Sequence, residues 1–288
     1  MDLASARRHL TARAAGPAQV ARQRGASVAR AGWADGGTRL AVVSLGLMWL
    51  AQVVTPLFGR GHRQGPTTVV VVLLAAAALG ATAAAVGWRR AAVAVAAATA
   101  VGVAVEAVGT RTGLPFGEYR YTDRLQPQVL GVPVVVALAW AGMGLPAWAV
   151  AGRLVRPVAA RIVVGSVALT AWDLFLDPQM VAEGFWVWPG GGAYRGIPLP
   201  NFAGWLAVSA VLMAVFALVA PAARSAVAVA AYLLMAVMEV LGFLLFFGDA
   251  VVAVVGGVVC VPLGLAALAR GRDANPPPAR RRLLPARR

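Results

Sequence analysis

Two aspartates four residues apart are the most suggestive pair of reactive groups in the sequence. Asp173 and Asp177 share one face if their segment is helical, and Pro178 predicts that the helix ends at the second of them. Burial disfavours the charged form of a carboxyl group, and a neighbouring carboxylate adds to that effect. One member of the pair could therefore stay protonated and act as a general acid. The plainer alternative is that both face interfacial water or pair with a loop arginine such as Arg124 or Arg195.

Two glutamates in apolar surroundings are further candidates. Glu106 falls near the end of one apolar run and Glu239 lies within another. An ionisable group at such a position is a functional hypothesis by default, because its charge is costly in the bilayer. Against this, Glu106 could be a solvated interfacial acid and Glu239 a neutral packing residue. We therefore predict that the catalytic residues are among Asp173, Asp177, Glu106 and Glu239.

Aromatic side chains are concentrated in the same part of the chain as these acids. Their ring faces could stabilise a transient carbocation by cation–π attraction while excluding competing nucleophiles. The alternative is the ordinary aromatic belt of a membrane interface. The set comprises Phe116, Tyr119, Tyr121, Trp172, Phe185, Trp186, Trp188, Tyr194, Phe202 and Trp205.

The sequence has few of the residues that metal binding or nucleophilic catalysis would need. Cys260 is the only cysteine, and the two histidines, His9 and His62, lie in polar segments, so we expect no metal site and no histidine-based triad. Acids, aromatic rings and apolar surroundings suit protonation of a carbon–carbon double bond in a lipid-dissolved substrate, with no cofactor.

The elements that must position these residues are transmembrane helices. Of the 288 residues 60% are hydrophobic and 13% are charged, and the mean hydropathy is +0.75, which excludes an ordinary soluble domain. Eight apolar runs approach the roughly 20 residues that a helix needs to cross a bilayer. We therefore predict an all-α, polytopic membrane bundle with spans near residues 40–58, 68–88, 91–109, 131–151, 159–177, 201–220, 225–247 and 249–269.

The arginines predict the topology and the domain limits. Residues 1–39 and 270–288 read as basic tails flanking a transmembrane domain at 40–269, and they hold 14 of the 26 arginines. With eight spans, 20 arginines fall on the side of the tails and 6 on the other, so both termini are predicted to be cytoplasmic. Anionic lipid, rather than nucleic acid, is the expected partner of this charge.

Several motifs, in order, resemble the membrane carotenoid biosynthesis protein family, which includes carotenoid 1,2-hydratases and bisanhydrobacterioruberin hydratase. The resemblance covers about residues 40–268. It rests on Leu114-Pro-Phe-Gly-Glu-Tyr-Arg-Tyr121, Gly131-Val-Pro133, Asp173-Leu-Phe-Leu-Asp-Pro178, Gly184-Phe-Trp-Val-Trp188, Tyr194-Arg-Gly-Ile-Pro198 and Asn201-Phe-Ala-Gly-Trp205.

The resemblance implies cofactor-independent addition of water to the terminal double bond of an acyclic carotenoid, giving a tertiary alcohol. One of the four acids would protonate C2, and an adjacent carboxylate would position water at C1. Phe116, Tyr119, Tyr121, Trp172, Trp186, Trp188, Tyr194, Asn201 and Trp205 would bind the substrate. Other carotenoid-pathway enzymes are possible partners.

Three other functions compete with hydration. A lycopene-type cyclase uses the same protonation, and a proton-coupled transporter could use the same buried acids. A membrane prenyltransferase is disfavoured because no second aspartate-rich segment accompanies Asp173 and Asp177 to bind metal-bridged phosphates.

Overall fold

The computed structural model describes residues 35–59 and 61–273. The eight predicted helices and the all-α membrane class are confirmed, because eight helices in this part of the chain are long and apolar enough to cross a membrane. The helices are α1 (Gly36–Val54), α2 (Gln64–Val86), α3 (Trp88–Thr112), α4 (Val134–Leu154), α5 (Val158–Ala182), α6 (Leu199–Val219), α7 (Ala226–Gly242) and α8 (Ala250–Asp273). A 3₁₀ turn, Thr55–Leu57, extends α1, and a π turn, Phe243–Phe247, extends α7.

The predicted tails at 1–39 and 270–288 lie outside the described residues, apart from 35–39 and 270–273.

The tight connections are made by glycines. Gly87 separates α2 from α3 and Gly248 precedes α8, with φ of 85° and 69°. Such angles suit glycine because it has no Cβ.

Helix α4 forms the centre of the bundle. It packs against α2, α3, α5, α6, α7 and α8, and every residue from Ala139 to Gly152 is buried. Small residues permit this close packing, as they do at membrane helix interfaces generally. A Cβ on Gly142, for example, would lie 3.2 Å from Leu74 Cγ and 3.3 Å from the backbone nitrogen of Ala75 in α2.

The long connections meet at one end of the bundle, which we call the loop end. Strand β1 (Arg120–Tyr121) follows α3, and β4 (Trp186–Val187) follows α5; the two strands pair antiparallel, with Tyr121 opposite Trp186. Between them, β2 (Gln128–Val129) and β3 (Val132–Pro133) form a small hairpin. Short strands were not predicted from the sequence, and they tie the two loops together above the helices.

The prediction that Pro178 ends its helix is wrong, since α5 continues to Ala182. A proline inside a helix lacks the N–H that would bond the carbonyl four residues earlier, which here is that of Leu174. The Tyr194 hydroxyl donates to this carbonyl at 2.9 Å. A side chain from the following loop thus satisfies the acceptor that the proline leaves free.

The opposite end holds a buried arginine. Arg161 donates to the carbonyl oxygens of Trp148, Ala223 (2.7 Å) and Pro221, and its guanidinium lies 3.5 Å from the centre of the Trp148 ring. Gly152 makes room for it, because a Cβ there would lie 2.6 Å from Arg161 Cζ. We call these five residues the Arg161 cage. It joins α4 and α5 to the connection between α6 and α7.

Candidate active site

Glu106 lies near the loop end of α3 and is held by three neutral donors. The hydroxyls of Tyr119 and Tyr121 donate to its Oε2, the latter at 2.6 Å, and Trp140 Nε1 donates to Oε1 at 3.1 Å. An ionised carboxylate only accepts hydrogen bonds, and these three donors engage both of its oxygens. Glu106 is 4% exposed and has no cation among these partners.

Two glycines of α3 allow these donors to reach Glu106. A Cβ on Gly109 would lie 2.8 Å from the Tyr119 hydroxyl, and one on Gly102 would lie 2.7 Å from Trp140 Cδ1. Any larger residue at either position would push a donor away. The local sequence of α3 therefore shapes the surroundings of its own glutamate.

Both tyrosines lie outside the spanning helices and remain protonated. Burial raises the pKa of the Tyr119 and Tyr121 phenols well above their ordinary value, and the negative charge of Glu106 raises it further. Both hydroxyls are therefore permanent hydrogen-bond donors under physiological conditions.

Asp173 and Asp177 form a second buried group with Asn201 of α6. The Asn201 amide nitrogen donates to Asp173 Oδ2 at 3.0 Å and to Asp177 Oδ2 at 2.6 Å. Trp186 Nε1 donates to Asp177 Oδ1 at 3.1 Å. Asp173 is fully buried, and no donor among the described residues reaches its Oδ1. The predicted one-face arrangement of the aspartates is present.

Within residues 35–59 and 61–273, no arginine forms an ion pair with these aspartates. Arg195 pairs with Asp249 and Arg124 donates to the carbonyl of Glu183. Two carboxyl groups that share one amide donor in a buried site cannot both be charged at low cost. The pair is therefore suited to hold one proton.

A pocket connects the two acidic groups. Its cavity volume is about 50 Å³, and we call it the carboxylate pocket. Its described lining contains no arginine or histidine. The lining consists of Thr67, Val71, Glu106, Phe116, Tyr119, Tyr121, Leu125, Val135, Val136, Ala139, Trp140, Leu176, Asp177, Met180, Trp186, Trp188, Asn201 and Trp205.

The aromatic wall of the pocket is an interlocked set of rings. Trp140 and Trp205 stack with centroids 4.2 Å apart and planes inclined by 18°. Phe116 packs against both, and Tyr119 lies 5.6 Å from Trp188. Interactions of this kind fix ring orientations, so several ring faces are presented to the pocket in set positions.

The structure brings most of the predicted site residues together. Glu106, Asp177, Phe116, Tyr119, Tyr121, Trp186, Trp188, Asn201 and Trp205 line the carboxylate pocket.

Four predicted residues lie elsewhere. Asp173 is hydrogen-bonded to Asn201 but does not line the pocket, and Tyr194 bonds the Leu174 carbonyl. Trp172 and Glu239 line a second cavity.

Trp140 was missed by the sequence analysis. It sits in the fourth apolar run, where a tryptophan is unremarkable, and only its placement between Glu106 and Trp205 reveals its importance. The single available signal was an indole N–H within a membrane span, which needs a partner when buried.

Two comparisons with known proteins found a match for this chain. A family model described as "Carotenoid biosynthesis protein" matches residues 67–270. The chain is 36% identical over 133 residues to bisanhydrobacterioruberin hydratase of Haloarcula japonica. That alignment covers 44% of this chain and 45% of the relative, less than half of either protein. No solved structure matches the chain.

Proposed function

The chain belongs to the carotenoid biosynthesis protein family, and from this premise we propose that it adds water to the terminal double bond of an acyclic carotenoid, as a cofactor-independent hydro-lyase. The observation that carries the proposal is that Asp177 and Glu106 line one aromatic pocket. Asp177 shares the Asn201 amide with Asp173, and we take these two aspartates to hold one proton between them. The name of the Haloarcula relative supports hydration as the outcome.

Asp177 is the proton donor in this proposal. It lines the pocket, whereas Asp173 lies behind it and shares the Asn201 amide. The π electrons of the end-group double bond take the proton at C2, forming a C–H bond and leaving a tertiary cation at C1. Asp173 and Asn201 act as positioning residues that keep the proton on the pair until the alkene arrives.

Glu106 receives the proton of the attacking water. A water molecule beside Glu106 attacks C1 through its oxygen, forms the C–O bond and passes one proton to the carboxylate. That proton returns to the aspartate pair before the next turnover, so the net change is the addition of H and OH. General acid–base help of this kind typically contributes about 10² to 10⁴ in rate.

The rings stabilise the cation between the two steps. Stacked Trp140 and Trp205 present π faces in a pocket whose described lining carries no positive side chain to oppose a cation. Cation–π attraction is worth about 2 kcal/mol or more when the partners are desolvated. The same wall excludes nucleophiles other than the water held at Glu106.

Expression in a host that accumulates lycopene tests the proposal. Hydration adds the mass of one water per end group, whereas cyclisation produces an isomer of unchanged mass. With membranes in D₂O, the new alcohol should carry one deuterium at C2. Unchanged lycopene in a strain that contains the folded protein would refute the proposal, and pH-dependent ion flux in proteoliposomes would then favour a transporter.

We also propose that the loop end faces away from the cytoplasm and that both termini are cytoplasmic, as the arginine distribution predicts. A cysteine replacing Gln126 at the loop end should react with an impermeant reagent on intact cells. A cysteine replacing Arg156, which is exposed at the other end, should react only after permeabilisation. The native Cys260 is buried and should give little background. Labelling in the reverse pattern would invert the topology.

The proposed partners follow from this placement. The polyene substrate and the surrounding lipid both contact the spanning helices, and assembly with other carotenoid-pathway enzymes stays a prediction.

A further inference from the structure

A second cavity opens beside the carboxylate pocket, between α1, α2, α5 and α7. Its cavity volume is about 370 Å³, and we call it the lipid-side groove. Leu245 and Phe246 at its mouth are 69% and 52% exposed. Apolar side chains exposed on a spanning helix face lipid tails, so the groove opens sideways towards the bilayer.

The groove and the carboxylate pocket are neighbours. Thr67, Val71, Leu176 and Met180 line both cavities. A long chain whose end group sits between Glu106 and Asp177 needs space for its remaining length, and the wider, mostly apolar groove is the adjoining space. A ligand dissolved in the membrane can reach the acids by this route without entering water.

The groove also contains polar groups that the protein does not satisfy. Glu239 is 7% exposed, lines the groove, and its carboxyl group accepts no hydrogen bond from the described residues. The Gln52 amide nitrogen donates to Met235 Sδ at 3.1 Å, and its amide oxygen has no hydrogen-bond partner in the part of the chain that the structure describes. The same holds for the indole N–H of Trp172, whose side chain is 3% exposed.

Gln52 and Glu239 line the same cavity, and Met235 relates their positions. Met235 and Glu239 are four residues apart on α7 and therefore share one face of that helix. Since Gln52 contacts Met235, its amide faces the same part of the groove as the glutamate. Leaving a buried polar group without a hydrogen bond is unfavourable, so a purely apolar ligand would leave the Gln52 amide oxygen and the Glu239 carboxyl group unsatisfied.

We propose that the lipid-side groove binds the polyene chain, and that Gln52 and Glu239 hydrogen-bond a hydroxyl group carried by that chain. A hydroxyl both donates and accepts, so it can serve the amide oxygen and the carboxyl group together. Glu239 is thereby a residue of ligand recognition and not the acid of the reaction. The inference rests on the proposed function for the chemical class of the ligand.

Binding of two unreactive probes tests this assignment. The probes are lycopene with both terminal double bonds saturated, and the same chain with one tertiary hydroxyl; neither can be hydrated. Affinity is measured in nanodiscs by quenching of tryptophan fluorescence by the polyene. The protein should bind the hydroxylated probe roughly three- to tenfold more tightly, the usual worth of a hydrogen bond.

Substitutions at position 239 test whether Glu239 binds the hydroxyl group or only packs in the groove. Glu239→Leu should abolish the preference while the plain probe still binds, and Glu239→Gln should retain most of it, because an amide also donates and accepts. Glu118→Leu, at an exposed glutamate, should leave the preference intact. If the Glu239→Leu variant still prefers the hydroxylated probe to the plain probe, the proposed hydroxyl site is wrong.

Substitutions on α2 test the groove itself. Val70 lines the groove and its neighbour Val69 is 49% exposed. Val70→Trp should weaken both probes alike, whereas Val69→Trp should weaken neither. Equal affinities in both variants would overturn the groove as the chain-binding site.

These results are independent of turnover. A wild-type protein that hydrates no polyene but shows the Glu239-dependent preference would refute the proposed function and leave this inference standing. Hydration of lycopene without such a preference would do the opposite.

Discussion

The Arg161 cage and the carboxylate pocket lie at opposite ends of the bundle, and both bury ionisable groups without an oppositely charged partner. Backbone carbonyls surround Arg161, whereas hydroxyl, indole and amide donors surround Glu106 and Asp177. In both regions neutral dipoles replace the water that each group loses on burial. This arrangement avoids an ion pair, whose desolvation in an interior can exceed its Coulombic gain.

The two regions differ in access. Arg161 lines neither the carboxylate pocket nor the lipid-side groove, and the Trp148 ring covers it. Asp177 and Glu106 face empty space that a ligand can fill. We therefore assign a structural role to Arg161, which its own partners enclose, and we propose a chemical role for the two acids that face the cavity.

The largest expected effect is that of Asp177→Asn. The asparagine keeps the size of the side chain but cannot donate an acidic proton, so hydration should fall by about 10² to 10⁴. Pigment analysis normalised to protein in the membrane measures this. Asp123→Asn, at an exposed loop acid, is the matched control. Near-normal hydration by both Asp177→Asn and Asp173→Asn would move the acid elsewhere, with Glu106 the next to test.

Next in size is the loss of one donor to Glu106. Tyr121→Phe removes the 2.6 Å hydrogen bond but keeps the ring. A hydrogen bond to a charged group is worth about 1.5–3 kcal/mol, so turnover should fall roughly 10- to 100-fold. Tyr119→Phe should behave alike, and the double variant should cost more than either. Unchanged turnover in the double variant would exclude a charged Glu106 as the water-binding group.

Arg161→Met should lower stability without altering the chemistry. It leaves the carbonyls of Pro221 and Ala223 without their donor. Each such unpaired buried group lowers the free energy of unfolding by about 1–3 kcal/mol. Thermal unfolding in detergent should occur at a lower temperature, while hydration per folded molecule stays near that of the wild type. Arg156→Met, at an exposed arginine of the same end, should change neither. A selective loss of turnover by Arg161→Met would contradict a purely structural cage.

The smallest effect is expected for Trp205→Phe. A ring face remains to attract the cation, so turnover should fall only a few-fold. Trp205→Leu removes the π face and its stacking on Trp140, and should be clearly worse. Equal turnover in the two variants would indicate that Trp205 contributes bulk and not cation stabilisation.

The fold could be predicted from sequence because its signals are local. Each apolar run is long enough to span a bilayer, and a chain in lipid must satisfy its backbone hydrogen bonds within each helix. The i, i+4 relation of Asp173 and Asp177 is equally local. The continuation of α5 past Pro178 could not be predicted, because Tyr194 supplies the missing donor from outside the helix.

The sequence by itself determined the membrane class, the eight spans and the concentration of acids and rings at one end. Tertiary structure alone decided that Asn201 joins the aspartates, that Trp140 bonds Glu106, and that Glu239 lies in a different cavity from Asp177. The physical reason is that each of these outcomes depends on how separate helices pack. Helix packing depends on the shapes of whole helix faces, including their small residues. The spacing of residues within one helix does not predict it.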